Sequence, residues 1–409
     1  MHLSPEATRR RPRVLQVVGT SLALPYQVAP IALALRSIGY DVDIASPSGP
    51  EAIELTQLGF QHLPFRLNRR LLAPTHTLTA MELRRIFAAR EYDVIHIHGP
   101  LPGLIGRLVN AARGARVIYH CRGGTLFEEV GDVGFSAIAK HVYPWLERLL
   151  SRRTDVVFTL NETDARDFVQ RANYRPEQVI CLGVGGCGVD IDYWNREGVT
   201  ASDLARIRKR FGLPHEHPVI GFVGRIVREK GVIELVEGFR RVRDAGLNAY
   251  LLIVGDTPAS ERDQEGQAIM RSLIASYRLT RFVVELGQLP SPRDAFLAMD
   301  VLCLPSHREG FGQVIAEAAA LGIPSIAAES RGTRQAILHE TTGFLFPRGD
   351  VDALSAYACR LMRDPDLRLR LGLNAAKRVR TEMSQSAVMA RIATVYEQLL
   401  THHYSRRAS

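Results

Sequence analysis

From Arg13 onward, short apolar runs alternate with stretches whose apolar residues recur every three or four positions. The runs read as buried strands and the stretches as helices laid over them. In the first half the pattern predicts strands over residues 14–19, 42–45, 94–98, 117–120, 156–160 and 178–182. Helices are predicted near 28–38, 79–90, 101–112, 135–152 and 163–171, the fourth broken or kinked by Pro144 because proline has no N–H to give. A glycine-rich passage, Gly183 to Gly188, reads as a linker. The alternation then restarts, with strands predicted over 219–223, 250–254, 282–286 and 301–304 and helices over 232–244, 264–277, 293–299 and 313–321. Short elements at 324–327 and 343–346 follow, then helical patterns over 350–362, 366–381 and 385–401 and a tail, 402–409, expected to be disordered. Strand–helix alternation with short connections predicts an α/β fold of two doubly wound parallel-sheet domains in tandem. The expected divisions are residues 1–190, 191–384 and a C-terminal helix with its tail, 385–409, packing back on the first domain.

Such sheets take ligands at the carboxyl ends of their strands, so the turns there carry the candidate chemistry. Glu309-Gly310-Phe311-Gly312 lies where a predicted strand gives way to a helix, and Glu317 lies about one turn inside that helix. The glycines allow close approach to the backbone, and the helix start offers unpaired N–H groups to anions. In a second turn of the same half, Gly224-Arg225 ends a strand and Lys230-Gly231 opens a helix. Two cations in such a turn are placed to clamp a diphosphate. Both turns should open on the same side of one sheet.

The 409 residues, 46% hydrophobic, suffice for two cores. Five scattered cysteines (121, 181, 187, 303 and 359) form no disulfide framework and fit a reducing cytoplasm. The N-terminus is basic and polar, so no secretory signal is expected, and no apolar run in the sequence is long enough to span a bilayer. The net charge of +9 is spread over arginine clusters (66, 69 and 70; 84, 85 and 90; 148, 152 and 153) that read as solvated faces. Zinc-finger spacing and aromatic-basic RNA motifs are absent from the sequence, so no nucleic acid is expected. His96 and His98 alternate on one strand and share a face, but no nearby Asp, Glu or Cys completes a ligand set, and no metal is expected. The segment Phe135 to Arg153 mixes aromatics, aliphatics and cations at helical spacing, which suits packing against the sheet or, alternatively, a membrane-facing role.

Taken in order, Gly224-Arg225 with Lys230-Gly231, Gly255-Asp256, Pro305-Ser306 before Glu309-Gly310-Phe311-Gly312, and Glu317-Ala318 resemble the retaining glycosyltransferases of family 4. In the first half, Asp93-Val94-Ile95-His96, Val117-Ile118-Tyr119-His120 with Gly123, Leu146-Glu147-Arg148 before Thr154-Asp155, and Gly188-Val189-Asp190 extend the resemblance over nearly the whole chain. It implies the GT-B fold, two Rossmann-like domains facing a central cleft, the first taking the acceptor and the second the nucleotide-sugar donor. It further implies that Arg225, Lys230 and the backbone around Gly310, Phe311 and Gly312 bind the donor diphosphate, with Gly19 near it. Glu317 would accept from the ribose hydroxyls, Glu309 would meet the transferred sugar near its reacting face, His120 would stand near a donor-sugar hydroxyl, and Gly287, Gln288 and Leu289 would lie near the nucleobase.

Two departures from the family pattern concern the acceptor side. The first loop reads Val18-Gly19-Thr20-Ser21, without paired glycines, and Cys187 stands where asparagine is usual. The implied activity is transfer, with retention and without a metal or other cofactor, of a hexose or N-acetylhexosamine from a UDP-sugar to a hydroxyl acceptor. Acceptors in that class are a lipid-linked oligosaccharide, a polysaccharide or a glycosylated metabolite, and a lipid-linked one implies peripheral attachment to the inner membrane face. A sugar-nucleotide epimerase on the same fold is the alternative, and a basic nucleic-acid-binding protein a weaker one.

Overall fold

The computed structural model of the chain describes residues 10–68, 73–110, 114–122, 135–183, 185–258, 261 and 263–408, without the side chains of 135–141 and 402–408. Gly123 and the arginines at 69 and 70 lie outside the described residues. The chain divides into two units, Met1–Leu182 with Val388–Ser409, and Gly183–Ala387.

In the first unit the strands are β1 (Arg13–Val18), β2 (Asp41–Ser46), β3 (Gln61–Pro64), β4 (Val94–His98), β5 (Arg116–His120), β6 (Val156–Thr159) and β7 (Val179–Cys181). They form one parallel sheet in the order β3-β2-β1-β4-β5-β6-β7. Val14, Leu15, Ile95, Ile97 and Val157 are fully buried, as apolar runs covered on both faces require. The winding reverses between β1 and β4, which leaves a crevice at their carboxyl ends. The second unit repeats the plan with β8 (Val219–Val223), β9 (Tyr250–Val254), β10 (Val283–Glu285), β11 (Val301–Leu304), β12 (Ser325–Ala328) and β13 (Gly343–Phe346). Their order is β10-β9-β8-β11-β12-β13, all parallel, and the reversal falls between β8 and β11.

Three local expectations change. The helix Phe135–Ser151 continues through Pro144 and is not broken there. Proline removes one intrahelical hydrogen bond, while the side chains on either side anchor the helix: Tyr143 and Glu147 are buried, and Glu147 grips Arg107 through both carboxylate oxygens, at 2.8 and 2.7 Å. The last helix, Gln385–Ala408, runs on through most of the tail expected to be disordered. The edge strand β3, QHLP, was not foreseen, because it carries no apolar run and is only half buried.

Candidate functional site

In the second unit, the reversal point brings the two candidate turns side by side. β8 ends at Gly224-Arg225, and the following turn carries Lys230 and then Gly231, which starts the helix Val232–Asp244. β11 ends at Leu304 and leads through Pro305 to Glu309 and Gly312, which starts the helix Gln313–Ala320. The two turns touch through backbone: His307 N–H donates to the Glu229 carbonyl at 2.9 Å. Gly231 has a left-handed φ of +72°, and a Cβ there would strike the Pro305 carbonyl, so only glycine lets the turns approach this closely. Gly312, with φ +84°, holds the equivalent position ahead of its own helix.

Across this contact Lys230 Nζ donates to Glu309 Oε1 at 2.6 Å, and both side chains are largely buried. Arg225 lies at the neighbouring strand end, paired with Glu261. His307 bonds Glu234 at 2.8 Å. That bond raises the His307 pKa above its usual value; burial alone would raise the Glu234 pKa, but the bond to His307 outweighs it and the net shift is downward. Ser306 is fully buried, and its hydroxyl has no partner among the described residues. Phe311 is buried. Gly310 lies between Glu309 and Phe311 in the turn, and the Glu309 carbonyl accepts from Gly332 N–H at 3.1 Å.

Glu317 follows on the helix. Burial pushes its carboxyl up to about 7, against a hydrogen bond from Gln313. Gln313 also reaches the Gly188 carbonyl at 3.3 Å. Gly287, at the end of β10, accepts from Gly255 N–H at 2.8 Å, and Gly224 N–H donates to Val254 at 3.0 Å, which aligns the ends of β8, β9 and β10. Gln288 is exposed and Leu289 half-buried beyond that edge.

Two of the predicted residues belong to the first unit. Gly19 follows β1 and is packed so tightly that a Cβ would fall 2.8 Å from Pro102 and 2.9 Å from Leu67. His120 ends β5, and its register neighbour on β4 is His98. The two-histidine reading is corrected here: His96, His98 and His120 form one fully buried cluster in which one ring nitrogen from each lies within 4.8 Å of the others. His120 is the third member, supplied by the adjacent strand. Their nitrogens are largely committed to protein partners. His98 Nε2 meets Gln16 Oε1 at 2.6 Å, and His98 Nδ1 accepts from Arg122 Nε at 3.1 Å. His96 Nδ1 meets the Tyr396 hydroxyl at 2.8 Å, and His96 Nε2 meets His120 Nδ1 at 3.2 Å. Burial, reinforced by the Arg122 charge, holds all three imidazoles well below their usual pKa, so they are neutral.

Sequence reasoning missed Glu261, Gln313, the His307–Glu234 pair, and the Gln16, Arg122 and Tyr396 surround of His120. Gln313 alone had a local signal, one helical turn before Glu317.

Residues 203–378 match the family described as Glycosyl transferases group 1, and residues 25–185 match the glycosyl transferase 4-like domain. The chain is 32% identical to the 2-deoxystreptamine glucosyltransferase of Streptomyces kanamyceticus, over 73% of this chain and 74% of that one. It is 24% identical to the capsular polysaccharide biosynthesis glycosyltransferase CapM of Staphylococcus aureus, over 95% and 97%. A solved structure of Anabaena HepE in complex with UDP superposes with a TM-score of 0.75 at 19% identity, covering 94% of this chain and all of that one. The chain belongs to the group 1, family 4-type glycosyltransferases. It is a glycosyltransferase with the α/β GT-B fold.

Proposed function

We propose that this glycosyltransferase takes a hexose or N-acetylhexosamine from a UDP-sugar and passes it, with retention, to a hydroxyl acceptor without a metal ion. The observation that carries the reading is the Lys230–Glu309 pair, which joins the two turns at the reversal point of the donor-type sheet, with Arg225 on the adjoining strand end. HepE, with the same fold, is seen with UDP and with UDP-glucose. Breaking the bond from the anomeric carbon to the diphosphate oxygen places negative charge on the departing diphosphate. Lys230, Arg225 and the helix start after Gly312 supply fixed positive potential for that charge. Lys230 has three donors, so it can keep Glu309 while reaching a phosphate oxygen.

In this reading the acceptor oxygen bonds to the anomeric carbon on the face the diphosphate leaves, and its proton passes to the leaving phosphate. Glu309, hydrogen-bonded by Lys230, stands by the developing positive charge on the sugar. His120 donates to a sugar hydroxyl, the backbone of Gly310, Phe311 and Gly312 and the Gly19 loop meet the phosphates, and Gly287, Gln288 and Leu289 meet the base. A thermal-shift panel of UDP-, GDP- and ADP-sugars in EDTA tests the donor, since a ligand that binds only the folded chain raises its melting point. UDP-sugars should give the largest rise; a rise with GDP- or ADP-sugars alone would contradict the base assignment. Interconversion of UDP-N-acetylhexosamine epimers without acceptor would contradict transfer.

Glu317 gives a pH test of the ribose contact. Ribose hydroxyls donate to the ionised carboxylate, so UDP-glucose should bind more tightly as pH rises through about 7, with a proton released on binding. The Glu317→Gln variant should bind with little pH dependence, as read by calorimetry. The free protein should show the opposite trend in stability. The folded chain keeps a proton that the unfolded chain loses near 4.5, so stability falls as pH rises from 4.5 to about 7 and then levels.

A lipid-linked acceptor and attachment at the cytoplasmic membrane face suit the helix Phe135–Ser151. Val142, Trp145 and Leu149 are exposed at helical spacing, with Arg148 and Arg152 beside them, and the cations complement anionic headgroups. No helix among the described residues is long and apolar enough to cross a membrane. Sedimentation with phosphatidylglycerol vesicles should carry the protein down and should weaken several-fold in the Trp145→Ala, Leu149→Ala double variant. Equal sedimentation of the two would exclude this surface.

A further inference from the structure

The hydrogen bonds around the histidine cluster run in one direction only. An arginine guanidinium donates and never accepts, so Arg122 Nε–H, 3.1 Å from His98 Nδ1, fixes that nitrogen as the acceptor. His98 then carries its proton on Nε2 and donates it to Gln16 Oε1 at 2.6 Å. With its oxygen so committed, the Gln16 amide turns its NH2 to the Tyr396 hydroxyl, 3.1 Å away. The hydroxyl accepts there and donates its own proton to His96 Nδ1 at 2.8 Å. His96 is therefore protonated on Nε2 and donates to His120 Nδ1 at 3.2 Å. The last proton of the chain sits on His120 Nε2, a fully buried atom with no partner among the described residues.

We propose that this relay, running from Arg122 through His98, Gln16, Tyr396 and His96, fixes His120 as the Nε2–H tautomer, so that it presents one hydrogen-bond donor to an oxygen of the sugar substrate. Tyr396 is the positioning residue that connects the two halves of the relay. It comes from the C-terminal helix, while Gln16, His96 and His120 come from β1, β4 and β5 and share one sheet face, Gln16 in register with His96 and His120 with His98. The substrate group that faces His120 must accept, as a hydroxyl or carboxylate oxygen does; an alkyl substituent there would leave a buried N–H unsatisfied. The role in substrate recognition rests on the function proposed above, whereas the tautomer does not.

Histidine-labelled protein examined by nitrogen–proton NMR correlation tests the relay without any turnover. The His120 resonances are assigned through the coupling across the His96–His120 hydrogen bond and by their loss in His120→Gln. The expected result is a neutral Nε2–H form for both residues. In Tyr396→Phe, which keeps the ring but breaks the chain, His96 and His120 should become a mixture of tautomers. In the same variant kcat should fall about tenfold with UDP affinity unchanged, the size of one hydrogen bond lost in the reacting complex. An Nδ1–H form of His120 in the native protein, or unchanged tautomers in Tyr396→Phe, would overturn the relay. The expected tautomers without any binding of nucleotide sugar would leave the relay standing and refute the function instead.

Discussion

Replacing Lys230 with alanine is expected to lower kcat by ~10²–10³, the range found when a fixed donor to a developing anion is removed. In the proposed function Lys230 acts on both partners of the reaction: its remaining donors would meet the departing diphosphate, and its bond to Glu309, at 2.6 Å, holds that side chain in place. Without Lys230, Glu309 would stand as an uncompensated anion beside another anion, so donor affinity should fall with the rate. Lys230→Arg should recover part of the loss by keeping the charge, but a planar guanidinium cannot reproduce the ammonium geometry. Native turnover in Lys230→Ala would remove the residue from the site.

Replacing Glu147 with alanine is expected to destabilise the first unit by about 3–5 kcal/mol, because it strands a charge in the interior. Arg107 and Glu147 are both fully buried and meet as two parallel hydrogen bonds. Arg107 also donates to the Gly103 carbonyl at 2.7 Å and to the Tyr174 hydroxyl at 2.8 Å, and lies 3.9 Å over the Tyr119 ring. The Tyr174 hydroxyl completes the set on Glu147 at 2.9 Å. The alanine variant keeps every other partner of Arg107 but loses its counter-charge. Denaturant unfolding should show the loss as a lower midpoint, and a midpoint equal to the native one would contradict the assigned pair.

The parallel-sheet architecture and the two turns at its reversal point were legible because their signals are local. An apolar run of four or five residues marks a strand, and the glycine and charged residue beyond it mark its carboxyl end: Gly224-Arg225 directly after Val219–Val223, and Glu309-Gly310 a short way past Val301–Leu304. The partners of those turns were not legible. Glu261 reaches Arg225 from another loop, and Tyr396 joins His96 across 300 positions, where no periodicity relates them. The third histidine was hidden for the same reason: strand alternation pairs His96 with His98, but only the order of strands in the sheet brings His120 alongside. The break expected as one outcome at Pro144 does not occur, because a local rule about helix breaking is outweighed by the packing of Tyr143 and Glu147.

The turns after β8 and β11 are proposed to hold the diphosphate of a nucleotide sugar through Lys230 and Arg225. Calorimetric titration of UDP-glucose into the native protein and into Lys230→Ala, both in EDTA, tests it most directly. The expected result is metal-independent binding by the native chain and at least tenfold weaker binding by the variant. Equal affinity in the two proteins, or binding that appears only when a divalent cation is added, would contradict it.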